Sequence, residues 1–250
     1  MFVAASTRCF SNLPLDAALQ RLVDLEYTAV EIALDESGGH LKPSQVAQHL
    51  EKAVQICRRT QRLTPVAYSV EIQADSEAQY YAQFDACCRL AKATKVNTIA
   101  VRSEELGTPF NAEIERLQEL VRLAAKEGVV VGLVTESGRM TQDPATAAVF
   151  CKNVKGLALT LDPSHYICGP HQGAPFEQVM EHVCHVRLRD STKDCLQVRV
   201  GQGVIEYGRL ITQLAKVDYT RALCVDIAPM EDVDQMAEMR KIRLLLESLL

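Results

Sequence analysis

Three acids stand at matching places in three alternating stretches of the 250-residue chain. In "VVVGLVTES" one face carries Val131 and Leu133, and the other Gly132, Val134 and Glu136. In "GLALTLDPSH" Leu157, Leu159 and Leu161 oppose Ala158, Thr160 and Asp162; in "ALCVDIAP" Leu223, Val225 and Ile227 oppose Asp226. A fourth stretch, "HVCHVRLRDST" at 182–192, sets Val183, His185, Arg187 and Arg189 against Cys184, Val186 and Leu188. Period-two alternation marks a β-strand. With the apolar faces packed away, Glu136, Asp162, Asp226 and Arg187 converge at the C-terminal ends of their strands. Carboxylates beside a fixed cation can remove a proton next to a carbonyl, return it elsewhere and hold the oxyanion formed between. One such acid is an ion pair or a helix cap; three in register point to a site.

The elements that must position them alternate from end to end. Strand patterns fall at 2–6, 29–34, 65–72, 97–102, 129–136, 156–162, 184–190 and 223–228. Helical stripes lie between, such as Ile114, Leu117, Val121 and Ala124, or Met236, Met239, Ile242, Leu246 and Leu249. Eight β–α units in this length predict one domain over 1–250, an α/β fold closed as a single (β/α)8 TIM barrel. The first turn, "STRCFSNLPLD", lacks the glycine loop of an open dinucleotide-binding sheet. Extra length follows strand 2 ("DESGGHLKPS"), strand 6 ("PSHYICGPHQGAP") and strand 7 ("STKDCLQVRVGQGVIEYG"), hence on the rim where barrels place their sites. Glycines and prolines in the first two predict a substrate-gated rim.

Composition narrows the function. Hydrophobic residues make up 48% and charged ones 24%, enough for a large core. A net charge of −5 argues against gripping nucleic acid or an anionic membrane, and no apolar run reaches membrane-span length. Nine cysteines, an odd number without a C-x-x-C pair, predict reduced thiols and a cytoplasmic protein. The N-terminal stretch reads as a first strand, not a signal peptide. "GQG" at 201–203 is read as a turn before a phosphate cradle, and Cys87–Cys88 as helix packing. His40, His49, His171 and His182 are read as surface or loop residues.

On "TAVEIAL", "TES", "LDPSHY", "HVRLRDS", "GQGVIEYGRL" and "VDIAP", in that order, the chain resembles the xylose isomerase-like TIM-barrel superfamily. That superfamily holds sugar and sugar-phosphate isomerases and epimerases, related lyases and the type 2 AP endonucleases. The resemblance implies a divalent metal (Mn, Mg or Zn) held by a strand-5 Glu, a strand-6 Asp, a strand-7 His and a strand-8 Glu. Glu136 and Asp162 match, His165 matches a histidine that touches substrate or a second metal, and Asp226 replaces the last Glu, about 1.5 Å shorter. Arg187 stands where the histidine ligand belongs. An arginine cannot ligate, and a unit charge about 4 Å from a divalent ion costs roughly 8 kcal/mol at an effective dielectric near 20. The site therefore reads as degenerate, with metal Glu136, Asp162 and Asp226 opposed by Arg187, or with the Arg187 guanidinium forked across those acids in its place.

The leading expectation is an enzyme, an isomerase or epimerase of a small polyhydroxylated carbonyl compound. Glu136 and Asp226 are its acid and base, and His165, Arg187, Glu31 and Arg102 its substrate contacts. Glu31 reads equally as a buried partner of an arginine, and Arg102 as a structural ion pair. The alternatives are a keto-sugar or cyclitol dehydratase or lyase, and a non-catalytic ligand-binding barrel that has lost its metal site. A DNA-repair endonuclease fits worst, since "VAYSVEI" and "IAVRSEE" supply no histidine. A homo-oligomer is compatible with all of these.

Overall fold

The computed structural model describes every residue except Gly39, which lies in the first of the three rim segments. Strands β1 (Phe2–Ser6), β2 (Ala29–Asp35), β3 (Thr64–Glu71), β4 (Thr98–Arg102), β5 (Val130–Val134), β6 (Leu157–Leu161), β7 (Val183–Leu188) and β8 (Ala222–Val225) pair in parallel in chain order. β8 pairs back onto β1, so the sheet closes into a barrel. Helices run back between strands: α1 (Leu15–Asp24), α2 (Pro43–Gln48), α3 (Leu50–Arg58), α4 (Glu77–Ala93), α5 (Phe110–Lys126), α6 (Pro144–Asn153), the short α7 (Ser164–Ile167), α8 (Tyr207–Lys216) and α9 (Gln235–Glu247). Together they make the expected (β/α)8 barrel.

Alternation decides the layers. Ile32, Leu34, Ile99, Val131, Leu133, Leu159, Leu161, Val186, Leu188 and Val225 face outward into the main core, where the helical stripes meet them. On α5, Leu117 and Ala124 are buried, with Ile114 and Val121 at the margin. On α9, Met239, Ile242 and Leu246 are buried, whereas Leu249 lies beyond the helix end and is exposed. Ser76, Asp143 and Asp234 cap α4, α6 and α9 with side-chain oxygens that accept helix N–H groups. Among the described residues no helix is long and apolar enough to cross a membrane.

The barrel axis is filled from below by small residues, Ala4, Ala29, Ala222 and Cys224 with Val66 against them. At Gly132 any side chain is excluded, because a Cβ would lie 2.5 Å from Thr160 Oγ1 and 2.8 Å from Cys184 Sγ. That contact corrects the expected faces of β7. A bulge pairs Leu159 with Val183 but Thr160 with His185, leaving Cys184 as the extra residue. Val183 thus joins the outer core and Cys184 turns inward, while His185 and Arg187 keep their inward direction. Above the small floor the axis is charged.

Candidate functional site

Each acid leaves the sheet as its strand ends. Thr141 Oγ1 donates to Val134 O at 2.7 Å and accepts Glu136 N at 3.2 Å, pinning the end of β5. Asp162 N donates to Thr135 Oγ1 at 2.8 Å, and Asp162 Oδ1 accepts Ser164 N at 3.0 Å. From α5, Arg116 donates to the Arg102 carbonyl at 3.0 Å, fixing the end of β4. Strand register and local side-chain bonds, not loop order, hold the mouth.

The acids are all matched by arginines, in pairs that differ from expectation. Arg102 forks onto Glu136, with Nε 2.7 Å from Oε2 and Nη2 on Oε1, and its Nη1 reaches Glu71 at 3.3 Å. Arg8 adds a second contact to Glu71 at 3.0 Å. Arg187 does not fork across Glu136, Asp162 or Asp226. Its Nε donates to Glu31 Oε2 at 3.2 Å and comes no nearer than 3.9 Å to Asp226. The reason is depth: Arg187 sits one layer lower, level with Glu31 on β2, whose Oε2 also meets His185 Nε2 at 2.8 Å. Arg189, two residues on, takes the upper place, with Nη2 2.8 Å from Asp162 Oδ2 and 3.4 Å from Asp226 Oδ2.

Burial sets the protonation of these groups. For Glu31 burial favours the neutral acid, but the Arg187 charge and the His185 hydrogen bond outweigh it and hold the carboxyl well below its usual range. Burial of Glu136 is likewise overcome by the fork from Arg102, and that of Asp162 by the charge of Arg189. His165 goes down, chiefly by desolvation, against the pull of Asp162. Its Nδ1 accepts Ser137 N at 3.2 Å, so the neutral ring carries its proton on Nε2, which lies 3.8 Å from Asp162 Oδ2.

A cavity of about 250 Å³ opens at the mouth between the ends of β1, β2 and β8, lined among others by Arg8, Asp35, His40, Arg189 and Asp226. Of the residues singled out in the sequence as site residues, Asp226 lines it. Glu136 and Arg102 reach the mouth from β5 and β4, across the barrel, and both keep some solvent exposure. His165 faces Asp162 from α7, beside Glu136. Glu31 and Arg187 are sealed beneath, 0% and 3% exposed. Sequence reasoning missed Arg189, Glu71, Arg8 and His40. Arg189 and Glu71 carried the inward signal of their strands; His40 was read as a loop residue, yet it bonds Thr7 Oγ1 and Leu13 O beside the cavity.

The "GQG" segment is a turn whose amides are already engaged. Gly201 N and Gly203 N donate to Asp190 Oδ2 at 2.7 and 2.9 Å, folding the long loop onto the end of β7. A Cβ on Gly203 would lie 1.9 Å from Asp190 Oδ1. Gly203→Ala is therefore expected to lower stability by about 1–3 kcal/mol, read by urea denaturation; an unchanged midpoint would contradict this account of the loop. Cys87 and Cys88 are packed inside α4, as expected.

Residues 19–246 match the family model described as the xylose isomerase-like TIM barrel. The chain belongs to that family. No curated protein matches it by sequence. Among solved structures it is similar to a D-allulose 3-epimerase from Methylomonas sp., with 14% identity, TM-score 0.78, and 100% and 98% of the two chains covered. The probable 3-DHS dehydratase AsbF of Bacillus anthracis gives 14% identity, TM-score 0.76 and 99% of each chain. The IOLI protein, solved with a zinc atom, gives 14% identity, TM-score 0.75, and 100% and 98% coverage. At these identities the likeness is one of fold.

The metal that the family implies meets a poor donor set at the mouth of this barrel. Asp162 Oδ1 is taken by Ser164 N and Oδ2 by Arg189, whose guanidinium fills the gap to Asp226. A divalent ion there would stand about 4 Å from a fixed positive charge, at the cost of roughly 8 kcal/mol given above. One layer lower, Glu31, His185 and Cys224 each offer a ligand atom, all within 4.8 Å of one another. Their oxygen, nitrogen and sulfur donors suit zinc, but Arg187 already donates to Glu31.

Proposed function

We propose that this barrel is a sugar isomerase or epimerase-like enzyme that moves a proton next to the carbonyl of a small polyhydroxylated compound. One observation carries the reading: two carboxylates, Glu136 from β5 and Asp226 from β8, approach the mouth from different sides, each beside a guanidinium. Opposed carboxylates can take a proton from one face of a carbon and return it to the other or to its neighbour. The neighbouring cavity is below the roughly 300–1,000 Å³ of drug-sized ligand sites, which suits a compound of monosaccharide size. Asp35, Asp226, Arg8 and Arg189 in its lining offer acceptors and donors to hydroxyl groups.

The residues divide the work as follows. Glu136, ionised under the Arg102 fork, is the base; a substrate oxygen that draws Arg102 toward itself returns basicity to Glu136 as the proton is taken. Asp226 serves the opposite face. His165 donates from Nε2 to a substrate oxygen, as a neutral imidazole does when it polarises a carbonyl. Glu31 and Arg187 act from below, as a sealed ion pair supporting the mouth. The likeness to a D-allulose 3-epimerase supports this class of reaction.

A dehydratase begins with the same proton removal and then expels a neighbouring hydroxyl; the dehydratase among the solved structures supports that branch. Incubating the protein with pentuloses, hexuloses and keto-cyclitols, and identifying products by NMR, tests the reading. New epimers or aldoses are expected, loss of water would select the dehydratase, and unchanged substrates throughout would leave a ligand-binding barrel.

A further inference from the structure

We propose that the Arg189 guanidinium is the resident cation of this mouth, standing between Asp162 and Asp226 where the family scheme puts a divalent ion. Only the use of that cation on a substrate oxygen rests on the function proposed above. The exclusion of metal rests on the geometry alone.

Three observations converge on Arg189. Its Nη2 lies 2.8 Å from Asp162 Oδ2 and 3.4 Å from Asp226 Oδ2, so one donor nitrogen serves both carboxylates. Its side chain is 15% exposed and lines the mouth cavity, so the guanidinium is presented to a ligand and not hidden behind the acids. Its Nε is buried without a hydrogen-bond partner, so the two acids do not satisfy all of its donors. Arg187 beneath, 3.9 Å from Asp226, adds a second charge that an incoming cation would meet.

A guanidinium in this place differs from a metal in ways that matter. It stays charged at any pH at which the fold survives, cannot be removed by a chelator, and offers two or more N–H donors in a plane. Developing negative charge on a ketose oxygen would be met by charge-assisted hydrogen bonds. The ligand class it selects is an oxyanion or a vicinal carbonyl–hydroxyl pair of a small sugar.

The test needs no substrate. Mn²⁺ and Zn²⁺ are titrated calorimetrically, one at a time, into wild-type protein and into Asp162→Asn, Cys224→Ser, Arg189→Ala and Arg189→Lys. Wild type is expected to show no binding with Kd below about 1 mM that Asp162→Asn abolishes. Binding lost in Cys224→Ser but kept in Asp162→Asn would belong to the lower triad and leave the mouth metal-free, as expected. Arg189→Ala is expected to gain an Asp162-dependent Mn²⁺ site at least about tenfold tighter, and Arg189→Lys, which keeps the charge, is not. Stoichiometric wild-type binding that Asp162→Asn abolishes would overturn the proposal, and so would no gain in Arg189→Ala. Were Arg189→Ala not to fold, the wild-type and Asp162→Asn titrations would still decide it. Absence of sugar turnover with this binding pattern intact would count against the proposed reaction and not against Arg189.

Discussion

Arg187→Met is expected to lower unfolding stability at pH 7 by about 3–5 kcal/mol. The arginine is 3% exposed, and it donates to Glu31, which is 0% exposed. Removing the guanidinium leaves a carboxylate in the barrel axis with only the His185 hydrogen bond close by. Glu31→Gln/Arg187→Met, which deletes both charges, is expected to recover most of the loss, because a neutral pair has no desolvated ion to support. The pH dependence follows from the depressed carboxyl of Glu31. In wild type its contribution is fully present above the unfolded value of about 4.3 and is lost as pH falls from there toward the lower folded value. In Arg187→Met the largest influence opposing burial is gone, so the folded carboxyl moves up and its contribution to stability at neutral pH falls. The deficit is therefore greatest near pH 7 and shrinks as pH falls through about 4. Urea denaturation at pH 7 and pH 4 measures it; equal deficits at both would show that lost packing, not charge, is the cause.

Glu136→Gln is expected to reduce kcat by about 10²–10⁴-fold on whichever ketose the wild type turns over, the range of a lost general base. The amide keeps the shape of the carboxylate and still accepts from Arg102, so substrate affinity should stay within a few-fold. That split separates a proton-moving residue from one that merely orders Arg102. Glu71 provides the comparison, as it too binds Arg102 and is also held by Arg8. Glu71→Gln is expected to change kcat far less. A Glu136→Gln enzyme within a few-fold of wild type would remove Glu136 from the chemistry.

Much of this architecture is legible in the chain because a closed barrel imposes one rule on every strand. Apolar residues must meet helices, so whatever alternates with them must face the axis. That rule turns Glu136, Asp162, Arg187 and Asp226 inward, and in the structure each meets a charged partner from another strand or strand end. The rule is silent where the period breaks. The bulge at Cys184 reverses Val183 and Cys184 without any residue in "HVCHVRL" announcing it, because a bulge is decided by pairing with β6. Nor does direction give depth. Arg187 and Arg189 share a face, yet the rise of two residues, about 6.6 Å, puts the first beside Glu31 and the second between Asp162 and Asp226. The cation that faces the acids was therefore on the right strand but two residues further on. Long-range partners such as Arg8 with Glu71, 63 residues apart, come only with the closed ring.

The most direct test of the account is deuterium uptake. Wild-type protein treated with EDTA is incubated in D₂O with the ketose and keto-cyclitol panel, and the proton next to the carbonyl is followed by NMR. Exchange reports proton removal whether the outcome is isomerisation, epimerisation or loss of water. Exchange on at least one compound without added metal is expected, and it is lost in Glu136→Gln. No exchange on any of them without added metal, whether or not Mn²⁺ restores it, would contradict this reading.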